Sequence, residues 1–259
     1  MDDPVLLTGA GGRVGQAILR DLADDYDWRL LDREPLPREK IPESVDDDAV
    51  YVADVTDDDA VLEAVDGVGG IIHLAGDPRP EAPWDSVLRN NIDGTHTIFA
   101  AAVEAGVEKV AFASSNHAVG AYETDDRTPD LYRPHDEYRL DGTEPPRPSN
   151  LYGVSKASGE ILGRYYHDNH DLSVVCVRIG NLTRGHPPWN YERGQAMWLS
   201  YRDCAHLFDR CLQADYGYEV VYGISDNERK YYSIDRARDV LGYDPIDNSA
   251  EFEQHPKNQ

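Results

Sequence analysis

Tyr152 and Lys156 are the first residues whose types and spacing suggest chemistry. A segment with helical character begins at Asn150, so a helix would place the pair on one face, one turn apart. A free tyrosine is a poor base because its pKa is near ~10, but a neighbouring ammonium group favours the phenolate and lowers that pKa. The pair therefore predicts a base that removes an alcohol proton near neutral pH. A YxxxK spacing alone is weak evidence, because it also arises by chance.

A second polar group follows a predicted strand, residues 108–113. The strand opens into Ser114, Ser115, Asn116 and His117. Ligands of open α/β sheets bind beyond the carboxyl ends of the strands, so a hydroxyl and an amide here would hold a substrate oxygen. Ordinary polar loop residues are an equal alternative on this segment alone. A serine-hydrolase elbow and a second metal ligand at suitable spacing are both missing from the sequence, so we expect neither hydrolase nor metal chemistry.

Three glycines, Gly9, Gly12 and Gly15, lie between a short apolar strand at residues 4–8 and a helical pattern. Strand, glycine turn and helix form the context that a dinucleotide-binding fingerprint requires. The glycines allow a tight turn, a close approach to the pyrophosphate and close packing of the helix on the strand. The helix N terminus offers free N–H groups to the phosphates.

The acid that ends the next predicted strand, residues 28–31, bears on the type of cofactor. Asp32 lies about 20 residues beyond the glycines, where an acid accepts hydrogen bonds from ribose hydroxyls and favours NAD. Arg33 is the opposing signal, because an arginine there could hold the 2′-phosphate of NADP. The sequence predicts NAD as the cofactor.

Strands and helices that alternate along the chain must position these groups, and they imply a parallel sheet with helices on both faces. We predict a Rossmann-type doubly wound α/β fold, with an NAD-binding domain at 1–182 and a small substrate-binding part, 183–259, interleaved with it. Further strands are predicted at 50–53, 70–74, 173–179 and 219–222, helices at 57–66, 83–105, 150–167 and 234–241, loops at 34–49, 121–149 and 183–200, and a capping box at Ser200–Asp203.

Composition limits the classes of partner. The chain has 49 acidic and 25 basic residues, a net charge of −24, and only 5 of the basic residues are lysines. A nucleic-acid partner is not expected, because phosphate binding needs a basic surface. The acidic surface indicates a protein built for concentrated salt, where charge repulsion is screened. Neither a membrane span nor a signal peptide is evident, so the expected location is the cytoplasm.

Several motifs stand together in one order: TGAGGRVG, Asp32, Asp54, HLAG, NNIDGT, FASSNH, YGVSK and VRIGN, from residue 4 to about 182. In this order they resemble the extended short-chain dehydrogenase/reductase family. The forms SSNHAVG, RIGN and WLSYRDC are similar to uronate dehydrogenases. The segment DPRPEAPWDSVLRNN and the lysine-poor surface look more similar still to the NAD-dependent glucose-6-phosphate dehydrogenases of halophilic archaea.

The resemblance implies a role for each matching residue. Tyr152 would be the base, Lys156 would lower its pKa and bind the nicotinamide ribose, and Ser115 would hold the reacting oxygen. Asn91 would support Lys156. The residues that would line the cofactor are Gly9, Gly12, Arg13, Val14, Asp32, Asp54, Val55, Leu74, Ala75, Gly76, Asn91, Lys156 and Ile179. Those that would contact the sugar are Ser115, Asn116, His117, Asn181 and Arg193, with Arg79 and Arg184 as further candidates for a phosphate.

The activity implied is oxidation of glucose 6-phosphate at C1 with NAD. A uronate dehydrogenase is the close alternative, since the planar fork of Arg193 suits a carboxylate as well as a phosphate. A non-catalytic NAD-binding sensor is an alternative of another class. Residues 183–259 are too short a segment for the larger substrate domain of many sugar-nucleotide epimerases, which favours a small substrate without a nucleotide handle. The resemblance implies that this substrate is a sugar phosphate. The family also implies a homo-oligomer formed through the helices near residues 83 and 150.

Overall fold

A computed structural model describes residues 3–124, 139–188 and 192–252. The strands of this part are β1 (Val5–Thr8), β2 (Trp28–Asp32), β3 (Val50–Val52), β4 (Gly70–His73), β5 (Lys109–Ser115), β6 (Ser173–Ile179), β7 (Asn181–Leu182), β8 (Trp198–Leu199) and β9 (Tyr218–Gly223). Seven of them form one parallel sheet in the order β3-β2-β1-β4-β5-β6-β9, and β7 pairs with β8 separately. The predicted doubly wound α/β fold is confirmed.

Helices cover both faces of the sheet. They are α1 (Arg13–Leu22), α2 (Asp58–Val65), α3 (Trp84–Val87), α4 (Gly94–Ala105), α5 (Leu151–His170), α6 (Glu192–Ala196), α7 (Tyr201–Gln213) and α8 (Asp235–Leu241). Strand β1 shows why both layers form: Val5 and Leu7 enter the core beneath α1 and α7, while Leu6 enters the core beneath α2 and α4. A strand buried on both faces reads as a continuous apolar run.

The C-terminal third completes the main sheet and also forms a small core of its own. Strand β9 pairs in parallel with β6, and α7 packs against α1. A separate cluster of buried residues joins Val119, Leu140, Met197, Tyr222, Ile224, Tyr231, Tyr232 and Ile234. The division into an NAD-binding domain at 1–182 and a substrate-binding part at 183–259 stays a prediction. Two elements of the second segment, β9 and α7, pack with the sheet and helices of the first.

Three segments differ from the prediction. The pattern at 83–105 is not one regular helix, because a π-helical turn, Leu88–Asp93, joins α3 to α4. Both serines of the SSNH motif lie inside β5, which runs two residues further than expected. The predicted loop 183–200 contains α6 and β8.

The predicted capping box at α7 is only half formed. The Ser200 hydroxyl accepts the Asp203 N–H at 3.0 Å, as an N-cap should. The Asp203 carboxylate instead accepts the N–H groups of Ile246 and Asp247, both at 3.1 Å. Asp203 therefore ties the C-terminal segment to α7, a long-range role that the local pattern could not indicate. Within the described ranges, none of the helices has both the length and the apolar character needed to cross a bilayer.

Candidate active site

The carboxyl edge of the sheet gathers most of the predicted site residues. Gly9 follows β1, Asp32 ends β2, and Asp54 and Val55 follow β3. Ser115 pairs with Ile179 across β5 and β6, and Asn181 comes two residues later. Parallel strands end at one edge, which is where open α/β sheets bind ligands. The order of motifs in the sequence thus becomes a row of side chains along one crevice.

The glycine turn leads from β1 into α1. Gly9 has φ +69°, and a Cβ added there would lie 2.9 Å from the Ala75 nitrogen, so only glycine fits where the turn passes the end of β4. Gly12 is the N-cap of α1 and leaves the first N–H groups of the helix for a ligand. Arg13 extends from this helix start to donate to the Leu182 carbonyl at 3.2 Å, joining the turn to β7.

Asp32 faces the same turn. Its Oδ2 accepts the Gly11 N–H at 2.8 Å, which fixes the carboxylate at the end of β2 while leaving acceptor capacity for hydroxyl groups. Lys40 donates to the Gly11 carbonyl at 2.7 Å and closes the turn from the other side. The Arg33 side chain is 67% exposed and lies 4.0 Å from Glu34. The donor and acceptor set at this end fits an adenosine ribose with free hydroxyls.

The apolar part of the predicted cofactor crevice is also in place. Val14, Leu74 and Ile179 are partly buried neighbours of the core on the α1 side. The N–H groups of Leu74 and Ala75 both donate to the Thr8 hydroxyl at 3.2 Å, which holds the end of β4 against β1. Together with the glycine turn and Asp32, these residues fit a bound dinucleotide.

Asn91 lies in the π-helical turn, a type of helix irregularity that is common at functional sites. Its Oδ1 accepts the Asp77 N–H at 2.6 Å, and its Nδ2 donates to the Asp77 carbonyl at 3.1 Å. The same nitrogen donates to the Ser155 hydroxyl at 2.9 Å. Asn91 therefore joins the loop after Gly76 to helix α5 through Ser155, the residue before Lys156, and its supporting role towards Lys156 stays a prediction.

Helix α5 carries the predicted base, and its start is fixed by two contacts. Asn150 caps the helix by accepting the Gly153 N–H at 2.7 Å, and its amide also contacts the His117 Nδ1 at 2.9 Å. A Cβ at Gly153 would lie 2.2 Å from the His117 carbonyl, so the glycine lets α5 approach the end of β5. The Tyr152 and His117 rings meet edge to face at 5.6 Å.

Tyr152, Lys156 and Ser115 come together as predicted. The Lys156 nitrogen lies 5.8 Å from the centre of the Tyr152 ring and 5.1 Å from that of Phe112. Lys156 is 5% exposed, and Ser115 is likewise buried. Hydrogen bonding between the Ser115 hydroxyl and the phenol favours the phenolate. The three groups form the acid–base arrangement that alcohol oxidation needs.

The electrostatics of this trio depart from the expectation. Burial raises the pKa of Tyr152, and the Ser115 hydrogen bond only partly opposes that rise. Burial also lowers the pKa of Lys156 to about 8. The expected fall of the phenol pKa towards neutrality is therefore wrong for this structure, because desolvation acts against both charged forms. A cation next to the phenol, such as the oxidised nicotinamide ring, would favour the phenolate again.

The predicted sugar ligands lie beside Ser115. The Asn116 amide is satisfied when its nitrogen donates to the Ile179 carbonyl at 3.2 Å and its oxygen accepts from Arg193 at 2.9 Å. Asn181 is held in β7 by its N–H, which donates to the Met197 carbonyl at 2.7 Å. Burial, and next the charge of Arg193, lower the pKa of His117. His117 is thus a neutral imidazole near pH 7.

Arg193 already has a carboxylate partner that the sequence did not reveal. Its Nε and one terminal nitrogen contact the two oxygens of Glu123 at 2.5 and 2.8 Å. Glu123 lies in the segment 121–149 that was predicted to be a loop, seventy positions from Arg193. Its closeness to the SSNH motif was the only signal, and it does not point to Arg193.

The remaining candidates lie further out. Arg79 is 58% exposed and pairs with Asp77 at 2.6 Å, while Arg184 is exposed. Asp54 accepts from the Thr56 hydroxyl at 2.9 Å and pairs with Arg89 at 3.1 Å. The roles of Arg79 and Arg184 as phosphate ligands stay predictions.

Two buried polar clusters behind the site were missed. His73 bridges the hydroxyls of Thr8 and Thr95 at 2.8 and 3.1 Å, and burial lowers its pKa to about 3, so it is neutral. Glu160 pairs with Arg178 through two bonds of 2.9 Å and accepts the Ser114 hydroxyl at 2.6 Å. A histidine or an arginine inside an otherwise apolar strand was the available signal. Both clusters fix the strand ends that carry the site.

Metal ligation finds no support in the described part of the chain. A search among its His, Cys, Asp and Glu side chains finds no group of three that could hold a metal ion.

This fold and this crevice define a class of protein. Residues 5–193 match the model of the NAD dependent epimerase/dehydratase family, and the chain belongs to that family. It is 80% identical, over 97% of its length and 96% of the relative's, to the NAD-dependent glucose-6-phosphate dehydrogenase of Haloferax volcanii. It is 36% identical, over 96% of its length and 83% of the relative's, to a uronate dehydrogenase of Pseudomonas syringae.

Two solved structures of dehydrogenases have the same fold as this chain. The glucuronic acid dehydrogenase of Chromohalobacter salexigens superposes with a TM-score of 0.84 at 34% identity, covering 100% of this chain and 91% of the other. A mutant uronate dehydrogenase of Agrobacterium tumefaciens, solved with NAD, superposes with a TM-score of 0.82 at 32% identity, covering 99% of this chain and 91% of the other. The family resemblance predicted from the sequence is confirmed.

Proposed function

We propose that this chain oxidises glucose 6-phosphate at C1 to 6-phosphoglucono-lactone, with NAD as the hydride acceptor. The observation that carries this proposal is the 80% identity to a glucose-6-phosphate dehydrogenase over nearly the whole of both chains. The site agrees with it, because Ser115, Tyr152 and Lys156 meet at the carboxyl edge of the sheet beside a crevice suited to a dinucleotide.

The protein contributes proton transfer and positioning. The Tyr152 phenolate takes the proton of the C1 hydroxyl and becomes the neutral phenol, and the Ser115 hydroxyl holds the same oxygen by a hydrogen bond. The buried Lys156 ammonium favours this phenolate, which forms when the phenol releases its own proton to solvent before the substrate reacts. NAD, when bound, accepts the hydride from C1. The N–H groups at the glycine turn would hold the pyrophosphate of NAD, and Asp32 would accept hydrogen bonds from its adenosine ribose.

A uronate dehydrogenase is the second candidate. Relatives at 34–36% identity are named uronate dehydrogenases. A hexuronate would contact the residues of the SSNH motif and Arg193. A non-catalytic NAD sensor is disfavoured, since cofactor binding alone does not require Ser115, Tyr152 and Lys156 to lie together. The two dehydrogenase candidates would bind a sugar and NAD in this crevice, whereas the sensor would bind NAD alone.

The substrate screen that separates them measures NADH formation in concentrated salt with glucose 6-phosphate, glucuronate, free glucose and UDP-sugars. We expect the highest kcat/KM with glucose 6-phosphate, and NADP at equal concentration should support a lower rate. Faster turnover of glucuronate would assign the chain to the uronate dehydrogenases. Absence of turnover with every sugar, while NAD still binds, would favour the sensor.

We also propose that the chain forms a homo-oligomer through α3 and α5. Trp84, Leu151, Ile161 and Tyr165 are large apolar side chains between 42% and 66% exposed, and they lie on these two neighbouring helices. Apolar surface of this kind is commonly covered by a partner. Sedimentation of the wild-type chain and of an Ile161→Asp variant in concentrated salt would test it, since the charge should yield monomers. A wild-type monomer would contradict the proposal.

A further inference from the structure

Glu123 is a charged residue at the sugar end of the site to which the proposed reaction gives no part. Its carboxylate contacts the Nε and a terminal nitrogen of Arg193 side by side, at 2.5 and 2.8 Å. Such a two-point contact fixes the plane of the guanidinium as well as its position. The side chains of Glu123 and Arg193 are 9% and 23% exposed, so water screens the pair only weakly.

Two tyrosines hold the carboxylate from the protein interior. The hydroxyl of Tyr231 lies 2.6 Å, and that of Tyr232 3.1 Å, from the Oε1 of Glu123. Both tyrosines are completely buried in the small C-terminal core, and Tyr232 stacks on Tyr222 with ring centres 4.3 Å apart. A carboxylate that accepts from a guanidinium and from hydroxyls is stabilised in its charged form. Glu123 is therefore a fixed negative charge.

A single residue, Asn116, separates the Glu123–Arg193 ion pair from the Ser115 hydroxyl. Arg193 donates to the Asn116 amide oxygen at 2.9 Å, and the Asn116 nitrogen lies 3.3 Å from the Ser115 hydroxyl. The charges of both Arg193 and Glu123 act on His117, in opposite directions. A sugar with C1 at Ser115 and Tyr152 would thus meet this pair with the rest of its ring.

We propose that Glu123 is a specificity-determining residue that excludes hexuronates from the site. Arg193 alone would attract the carboxylate of a hexuronate, but Glu123 cancels that charge and repels a second carboxylate close to it. The ion pair has no net charge, so it does not repel an uncharged part of a sugar. This inference deepens the proposed function and rests on it for the placement of C1.

The geometry of the two sugars explains why a phosphate is affected less. In a hexuronate the carboxylate carbon is bonded directly to C5, so its charge stays against the ring. In glucose 6-phosphate C6 and O6 separate the phosphorus from C5, so the charge lies beyond the part of the sugar that the pair contacts. Glu123 thereby distinguishes the two candidate substrates that Arg193 by itself does not.

The test measures a carboxylate preference, defined as kcat/KM for glucuronate divided by kcat/KM for free glucose, in wild type and in Glu123→Gln. The two sugars differ only at C6, and glutamine keeps the size of the side chain while removing its charge. We expect the preference to rise about tenfold or more in Glu123→Gln, through a lower KM for glucuronate. Calorimetric titration of each sugar into the NADH-bound protein gives the same ratio where turnover is slow.

The matched control is Glu144→Gln, which removes the charge of another acid paired with a buried arginine, Arg178, outside the sugar site. Its carboxylate preference should equal that of wild type. A preference in Glu123→Gln that stays at the wild-type value, in protein whose melting temperature shows it folded, would overturn the inference. If Glu123→Gln does not fold, Glu123→Ala with the same two sugars decides.

Failure of the proposed glucose-6-phosphate oxidation can be told apart from failure of the specificity role of Glu123. A wild-type enzyme that does not oxidise glucose 6-phosphate refutes that function, while the ratio between glucuronate and glucose still reports on Glu123. A wild-type enzyme that prefers glucuronate to glucose strongly, with the preference unchanged in Glu123→Gln, refutes the specificity role.

Discussion

Substitution of Asn91 by alanine tests whether the π-helical turn holds the cofactor loop and α5 together. The side chain is 1% exposed and makes three hydrogen bonds, two with the Asp77 backbone and one with the Ser155 hydroxyl. A hydrogen bond contributes about 1 kcal/mol net, and an unsatisfied buried donor costs about 1–3 kcal/mol. We therefore expect Asn91→Ala to lower the free energy of unfolding by about 3 kcal/mol.

The assay is denaturant unfolding in concentrated salt, with steady-state kinetics on the same preparations. The matched control is Asn90→Ala, because the neighbouring amide makes a bond of 3.1 Å to the Ser86 hydroxyl and lies half-buried. That variant should lose about 1 kcal/mol. The KM for NAD should rise in Asn91→Ala more than the KM for the sugar, since Asp77 follows the loop that faces the cofactor. Equal losses of stability in the two variants would refute the reasoning.

Three further predictions concern the base, its neighbour and the surface. Tyr152→Phe should lower kcat by about 10²- to 10⁴-fold without changing the Kd for NAD, and near-normal turnover would remove Tyr152 as the base. The pKa of Lys156 is lowered to about 8 against an ordinary value of 10.5, so the folded state releases the proton first as the pH rises. Stability relative to Lys156→Met should therefore increase by about 3 kcal/mol between pH 8 and 10.5, and a flat difference in urea unfolding would contradict this. Transfer from 1 M to 0.01 M salt lengthens the screening distance from about 3 to 30 Å, so a chain of charge −24 should melt earlier in a thermal scan; an unchanged Tm would count against the salt interpretation.

The sheet and the cofactor edge were predictable because their signals are local. A glycine turn between a strand and a helix, and an acid at the next strand end, depend on residues that are close in sequence. Gly9 and Asp32 accordingly lie where the pattern indicates. Motif order then placed Ser115 and Tyr152 at the same edge.

The electrostatics were not predictable, since they depend on burial and on distant partners. The spacing of Tyr152 and Lys156 says nothing about desolvation, which raises the pKa of the phenol. Glu123 pairs with an arginine seventy positions away. The π-helical turn at Leu88–Asp93 also escaped prediction, because the helical pattern of residues 83–105 did not distinguish it from a regular helix.

The position of β9 and α7 has a consequence for how the chain is made. A ribosome releases the N terminus first, so the glycine turn and α1 emerge long before residues 201–223, which supply the neighbour of α1 and the last strand beside β6. Until those residues emerge, α1 lacks its packing against α7 and β6 lacks its pairing with β9. The packing of α1 and the pairing of β6 are therefore completed only after residues 201–223 have been made.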